Sequence, residues 1–247
     1  MAIFSGTISP HDIQQGLLGD CYFLSVLSVL TEVPVRIERL FSLQDRNDAG
    51  IWAVKMYHNG VHREVVMDNH IPCLNGSPCF SKANGNELWV IILEKAWAKL
   101  HGSYERIEAG FAHEVMRDLT GAPSYDIEID EEGLFEKLLH YDSKNYIMAA
   151  SAGSTEASAA TLEELGLVAL HSYGIMGCAV VRDQYGDEIR LVQLRNPWGD
   201  FEWTGDWGDS SELWTPELKR IVGFVDDSSD GSFWMSWKDL CFYFSRI

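Results

Sequence analysis

Residues 15–21 read Gln-Gly-Leu-Leu-Gly-Asp-Cys, so two glycines and an acid lead straight into an apolar run that begins with a cysteine. A thiol at the first position of a helix faces unpaired N–H groups and the positive end of the helix dipole. Both favour the thiolate, the nucleophilic form. Gln15 lies six residues before Cys21 across a glycine-containing turn. From there its amide has the reach to donate to an oxyanion beside the sulfur, together with the Cys21 backbone N–H. The competing account of Cys21 is a small buried residue with no chemistry.

About 150 residues further on, His171 opens the strand-like run His-Ser-Tyr-Gly-Ile-Met-Gly, and Asn196 closes the next one in Leu-Arg-Asn-Pro-Trp-Gly. A hairpin puts the start of one strand beside the end of its partner, so these two side chains become neighbours. An asparagine oxygen accepting from one imidazole nitrogen fixes the tautomer and aims the other nitrogen at a thiolate. Trp198 is placed to cover that bond from water. Taken singly, His171 also reads as a satisfied core histidine and Asn196 as a turn former before Pro197. The order Gln, Cys, His, Asn is the pattern of nucleophilic cysteine catalysis.

The elements that must carry these groups follow from hydrophobic period. Apolar residues at 23, 24, 26, 27 and 30 predict a mostly buried helix over Cys21–Glu32 with Asp20 as N-cap. Residues 88–100 predict a long apolar helix, and 111–118 and 133–141 shorter ones. The β-rich stretches 51–57 and 61–67 flank Asn59-Gly60, a hairpin signal. After about residue 145, strands are predicted at 145–150, 172–182, 188–195, 233–237 and 241–246, with a turn at 183–187 and a surface loop at 151–161. A helix-rich part followed by a strand-rich part predicts an α+β fold of two lobes, 1–120 and 121–247, with Thr120-Gly121-Ala122-Pro123 as the boundary.

Charge narrows the partners. With 19 basic and 37 acidic residues in 247, the formal charge is −18. This argues against nucleic acid or an anionic lipid surface and leaves room for a cation. Residues 1–120 hold 14 acids and 10 bases, and residues 121–247 hold 23 and 9, so the excess is concentrated in the second part. Five irregularly spaced cysteines, no leader and no apolar span predict a reduced, cytoplasmic chain with no membrane segment.

The sequence resembles the calpain family of cysteine protease cores. The resemblance is carried by Asp-Ile-Gln-Gln-Gly-Leu-Leu-Gly-Asp-Cys at 12–21, Leu-Glu-Lys-Ala-Trp-Ala-Lys-Leu-His-Gly-Ser-Tyr-Glu at 93–105, Leu-Arg-Asn-Pro-Trp-Gly-Asp-Phe-Glu-Trp-Thr-Gly at 194–205 and Asp-Gly-Ser-Phe-Trp-Met-Ser at 230–236. It implies a papain-like two-lobed fold, with Cys21 as nucleophile, His171 as general base then acid, Asn196 orienting the histidine and Gln15 serving the oxyanion hole. Tyr22 stands where the family usually has Trp, and Leu170 where Gly is usual, so wall packing and the substrate groove are expected to differ. The resemblance also implies an upstream segment and regulatory domains or a subunit outside this chain, which is then a fragment, an engineered core or a short relative. Protein or peptide substrates are implied too.

The run Asp200, Glu202, Asp206, Asp209, Glu212, Glu217, Asp226, Asp227, Asp230 is balanced only by Lys219 and Arg220. Clustered carboxylates are what Ca²⁺ selects, although a solvated acidic face is the plainer account. The resemblance implies one Ca²⁺ per lobe. Glu202, Asp209 and Asp230 match the second-lobe positions, with Ser232 where a carboxylate is expected. In the first lobe Asp12 matches, with Glu94 as its expected partner and Glu105 as the alternative. The family's calcium switch implies lobes that close on binding the ion. A catalytically inactive relative acting as a binding module is the alternative, and a calcium-independent relative a second. Cys73 and Cys79 with His58, His62 and His70 fit no compact zinc knuckle. The tryptophans at 198, 203, 207 and 214 read as loop anchors rather than a carbohydrate platform.

Overall fold

The computed structural model describes residues 2–44, 47–83, 85, 87–153, 159–183, 185–225 and 230–247. The chain divides into two compact units, Met1–Tyr125 and Asp126–Ile247. The division falls just beyond the Thr120–Pro123 stretch.

In the first unit, α1 (Cys21–Leu30) is buried at every position after Cys21. Its two serines donate back to the Tyr22 and Leu24 carbonyls, at 3.1 and 3.0 Å, which lets polar residues sit in an apolar environment. Strands β1 (Ile51–His58) and β2 (Val61–Asp68) pair antiparallel with His58 opposite Val61. The turn residues Asn59 and Gly60 have φ of 52° and 74°, the left-handed pair that a two-residue hairpin of this twist requires. Helix α2 (Trp89–His101) buries Trp89, Ile92, Leu93 and Trp97. Helix α3 (Ala112–Thr120) ends at Gly121 in the left-handed conformation, where glycine carries no Cβ penalty. Burying each large apolar side chain here contributes about 1.5–3 kcal/mol.

The second unit is built on a five-stranded antiparallel sheet. Helix α4 (Leu134–Ser143) precedes β3 (Met148–Ala152), and β4 (Ser172–Arg182) and β5 (Glu188–Arg195) form the long central hairpin. They are followed by β6 (Ser232–Ser236), α5 (Trp237–Tyr243) and β7 (Phe244–Arg246), in sheet order β6-β5-β4-β3-β7. One face packs on α4 and α5 through Leu134, Phe135, Leu138 and Leu240 against Ile175, Val192 and Leu194. The other side holds Trp207, Trp214 and Trp234 with Leu191.

Two expectations change. The predicted strand at 241–246 is helix up to Tyr243 and strand only over Phe244–Arg246. Ser236 caps α5 by accepting from Asp239 N at 3.0 Å, and this local bond overrides the β-rich composition until Phe244. The predicted loop at 151–161 is not one loop: 151–152 belong to β3 and 159–161 to a short helix, while 154–158 lie outside the described residues. Gln184 of the 183–187 turn lies outside them as well.

Candidate active site and cation sites

The loop before Cys21 is pressed onto backbone. A Cβ on Gly16 would come within 1.7 Å of the Phe80 carbonyl oxygen, so only glycine fits, and Leu17 N donates to Cys79 O at 3.1 Å. Gln15 Nε2 donates to Leu18 O at 2.7 Å, which uses one of its two amide hydrogens and leaves the second for an acceptor.

Asp20 does not act as the predicted side-chain cap. Its carbonyl receives Phe23 N and Leu24 N at 2.9 and 3.2 Å, while its carboxyl is buried against Glu94 of α2. Burial, then the charge of Glu94, holds Asp20 well above the usual carboxylate range. Burial also pushes Glu94 up to about 7, against the Ser81 N–H that donates to it at 2.8 Å. Two buried carboxyls side by side disfavour ionising together, and both are held above the ordinary carboxylate range. Tyr22 is buried, donates to Ile107 O at 3.0 Å and accepts from Trp97 Nε1 at 3.1 Å. The hydroxyl therefore ties α1 to α2 and to the 107–110 loop.

His171 immediately precedes β4 and Asn196 immediately follows β5; the pairing of Gly174 with Arg195 brings them together. His171 Nε2 lies 2.8 Å from Asn196 Oδ1. The amide's orientation is set by its other partners: Trp198 N donates to the same Oδ1 at 3.1 Å, and Nδ2 donates to Phe201 O at 2.9 Å. Oδ1 is therefore the acceptor, Nε2 carries the proton, and Nδ1 is the basic nitrogen. Trp198 lies 5.1 Å from the imidazole and Tyr173 meets it edge-on at 5.0 Å. Burial pushes His171 down to about 4, so the ring is neutral near pH 7.

The candidate calcium residues sort differently from expectation. Asp12 receives Ser9 N at 2.8 Å, and the carboxyl that interacts with it belongs to Glu87, not Glu94. Glu87 is pushed up to about 7 by burial first and by the charge of Asp12 second, while Ser5 N donates to it at 3.2 Å. Glu94 is taken up by Asp20, and Glu105 is exposed on a single 3-10 turn. Glu87 stands at the foot of α2, and no period or spacing singles it out. In the second unit Glu202 is pushed up to about 7 by burial and then by the charges of Asp209 and Asp230. Gly231 N donates to Glu202 at 2.8 Å, and Ser232 N to Asp230 at 2.6 Å. Asp226 and Asp227 lie outside the described residues. Mutually repelling, partly buried carboxylates on irregular backbone are a donor set that suits a hard cation.

The description "calpain family cysteine protease" matches residues 1–247, the whole chain. The chain belongs to the calpain family. It is 40% identical over 257 aligned residues to the calpain-type cysteine protease ADL1 of Oryza sativa subsp. japonica, covering 99% of this chain and 12% of that protein. It is 37% identical to calpain-8 of Mus musculus, across 98% of this chain and 35% of the relative. With the calpain-2 catalytic subunit of Bos taurus identity is 34%, across 98% and 36%. The chain thus spans a minor part of each.

Within this calpain core, Leu170 has a φ of 54° and is 90% exposed. A left-handed backbone next to His171 is the physical reason for a glycine there, and leucine holds it under strain. Trp203, Trp207 and Trp214 are buried loop anchors; the Trp203 indole nitrogen donates to Asp206 O at 2.8 Å, and that of Trp214 to the carbonyls of Trp207 and Gly208, both at 3.1 Å. The zinc grouping of Cys73 and Cys79 with His58, His62 and His70 does not assemble among the described residues. Cys73 is exposed, and Cys79 Sγ donates to Pro72 O at 3.3 Å. No helix among the described residues is long and apolar enough to cross a membrane.

Proposed function

We propose that this calpain core is a calcium-dependent cysteine endopeptidase acting on proteins or peptides within the cytoplasm. The reading is carried by His171, whose Nε2 is committed to an asparagine of fixed orientation and whose Nδ1 is basic and neutral near pH 7. In the proposed cycle Nδ1 takes the Cys21 thiol proton and the thiolate adds to the scissile carbonyl carbon. The oxyanion accepts from the Cys21 backbone N–H and the second amide hydrogen of Gln15. The carbonyl re-forms as the C–N bond breaks, and His171 gives its proton to the departing amine. Water, deprotonated by the same nitrogen, then releases the acyl group and the thiol.

Asp12 with Glu87, and Glu202 with Asp209 and Asp230, are the residues that would hold calcium, one ion in each unit. The ion supplies positive charge that offsets carboxylate repulsion. Ser232 in place of a carboxylate leaves the second set a charge short, so that site is the weaker.

The test combines a cysteine-directed epoxide with a calcium titration of peptide cleavage. Calcium-dependent cleavage and alkylation of Cys21, both lost in His171→Ala, support the reading. Full activity in excess chelator removes calcium dependence and keeps the protease. A Cys21 no more reactive than a free thiol, with or without calcium, favours an inactive relative that serves as a binding module.

A further inference from the structure

Three side chains of the first unit that the hydrolysis does not use converge at one end of the β1–β2 hairpin. His58 is the last residue of β1, His101 the last of α2, and Asp118 lies in the final turn of α3. One ligand atom from each lies within 4.8 Å of the other two, and among the described residues no other such set of three exists. His58 Nδ1 stands 4.0 Å from Asp118 Oδ2, and the two imidazoles meet edge to face with centroids 5.6 Å apart.

The atoms that face one another lack partners. His58 Nδ1 and His101 Nε2 are buried with no hydrogen bond, and Asp118 is 2% exposed. Buried polar atoms in folded proteins are nearly always paired, so an occupant is expected. A shared proton serves poorly. At 4.0 Å the His58–Asp118 gap is too long for a hydrogen bond. The second oxygen of Asp118 accepts from Arg117 Nε at 2.9 Å, which fixes the carboxylate as an outer partner fixes a metal ligand.

We propose that His58, His101 and Asp118 form a transition-metal site of the zinc class, with two imidazole nitrogens, one carboxylate oxygen and a fourth position open to water. Tetrahedral bonds of roughly 2.0–2.2 Å place ligand atoms about 3.4 Å apart, so the atoms, now within 4.8 Å of one another, must draw together on binding. Nitrogen donors separate this site from the all-oxygen sets at Asp12 and Glu202, which suit calcium. The ion joins β1, α2 and α3. His101 also packs against Trp97, the rings tilted by 56° with centroids 4.2 Å apart, and Trp97 donates to Tyr22, the residue after Cys21. Occupancy therefore stiffens the layer on which the cysteine helix rests.

The experiment is calorimetric titration of the full chain with zinc chloride, in excess calcium to fill the oxygen sites. One equivalent should bind. Affinity should fall more than about tenfold in His58→Ala and in His101→Ala, and stay the same in Cys73→Ser/Cys79→Ser. Cobalt(II) in place of zinc should give the visible spectrum of a four-coordinate nitrogen–oxygen site with no thiolate charge-transfer band. Equal affinity in the histidine variants, loss of binding in the cysteine variant, a thiolate band or no binding heat would each overturn the proposal. Should His101→Ala fail to fold, His58→Ala at a partly exposed strand end carries the test alone.

Discussion

Glu94 of the second helix in the first unit is buried beside Asp20, the residue directly before Cys21, and both carboxyls are held above the ordinary range. The candidate nucleophile therefore begins its helix on top of a carboxyl pair that is kept from ionising twice.

This pair gives stability a pH dependence. Glu94 sits near 7 in the folded chain, against an ordinary 4.5, so its contribution is complete below about pH 4.5 and is lost as pH rises through about 7. His171 works the other way. Its value of about 4 makes the folded state lose stability as pH falls from about 6.5 toward 4. Thermal melts from pH 4.5 to 7.5 should decline toward neutrality less steeply in Glu94→Gln than in the parent chain. Parallel slopes would rule out a Glu94 held near 7 by burial.

Asn196 makes three side-chain hydrogen bonds, to His171, Trp198 and Phe201. Asn196→Ala leaves these groups without their partner in a buried setting, which should cost about 1–3 kcal/mol. Peptide cleavage should fall through kcat far more than through KM, because the imidazole loses its orientation while the substrate-contacting groups remain. Chemical denaturation and steady-state kinetics on the same preparation check both halves.

At Leu170 the prediction is a gain. The leucine is exposed and holds a left-handed backbone, so Leu170→Gly gives up little packing. Relief of roughly 1–2 kcal/mol of strain exceeds the 0.5–1 kcal/mol entropic cost of glycine. A rise in melting temperature, corresponding to about 0.5–1 kcal/mol, is expected. A fall would show that the leucine side chain makes a stabilising contact.

The two acids of α2's neighbourhood separate cleanly by calcium. Glu87→Gln should weaken calcium binding to the first unit, seen as a smaller calcium-induced rise in melting temperature, because it removes the carboxylate beside Asp12. Glu94→Gln should leave that rise unchanged. The reverse result would return the ligand role to Glu94.

Much of the protein was legible in the chain itself. The Gly-Asp-Cys start of a buried helix, the Asn59-Gly60 hairpin and the long β-rich strands around His171 and Asn196 are local signals, written in period, turn chemistry and composition. The His171–Asn196 contact was legible too, because a hairpin register is set by residues close in sequence. The switch from strand to helix at Trp237–Tyr243 was less so, since one serine cap outweighs a β-rich composition. What only the tertiary structure decided are the meetings of side chains from distant elements. Asp12 finds Glu87 and leaves Glu94 to Asp20, and His58, His101 and Asp118 meet across 60 residues of chain. Sequence spacing orders such residues along the chain, but the crossing of a hairpin and two helices determines which buried atoms face each other, and burial is what turns that facing into chemistry.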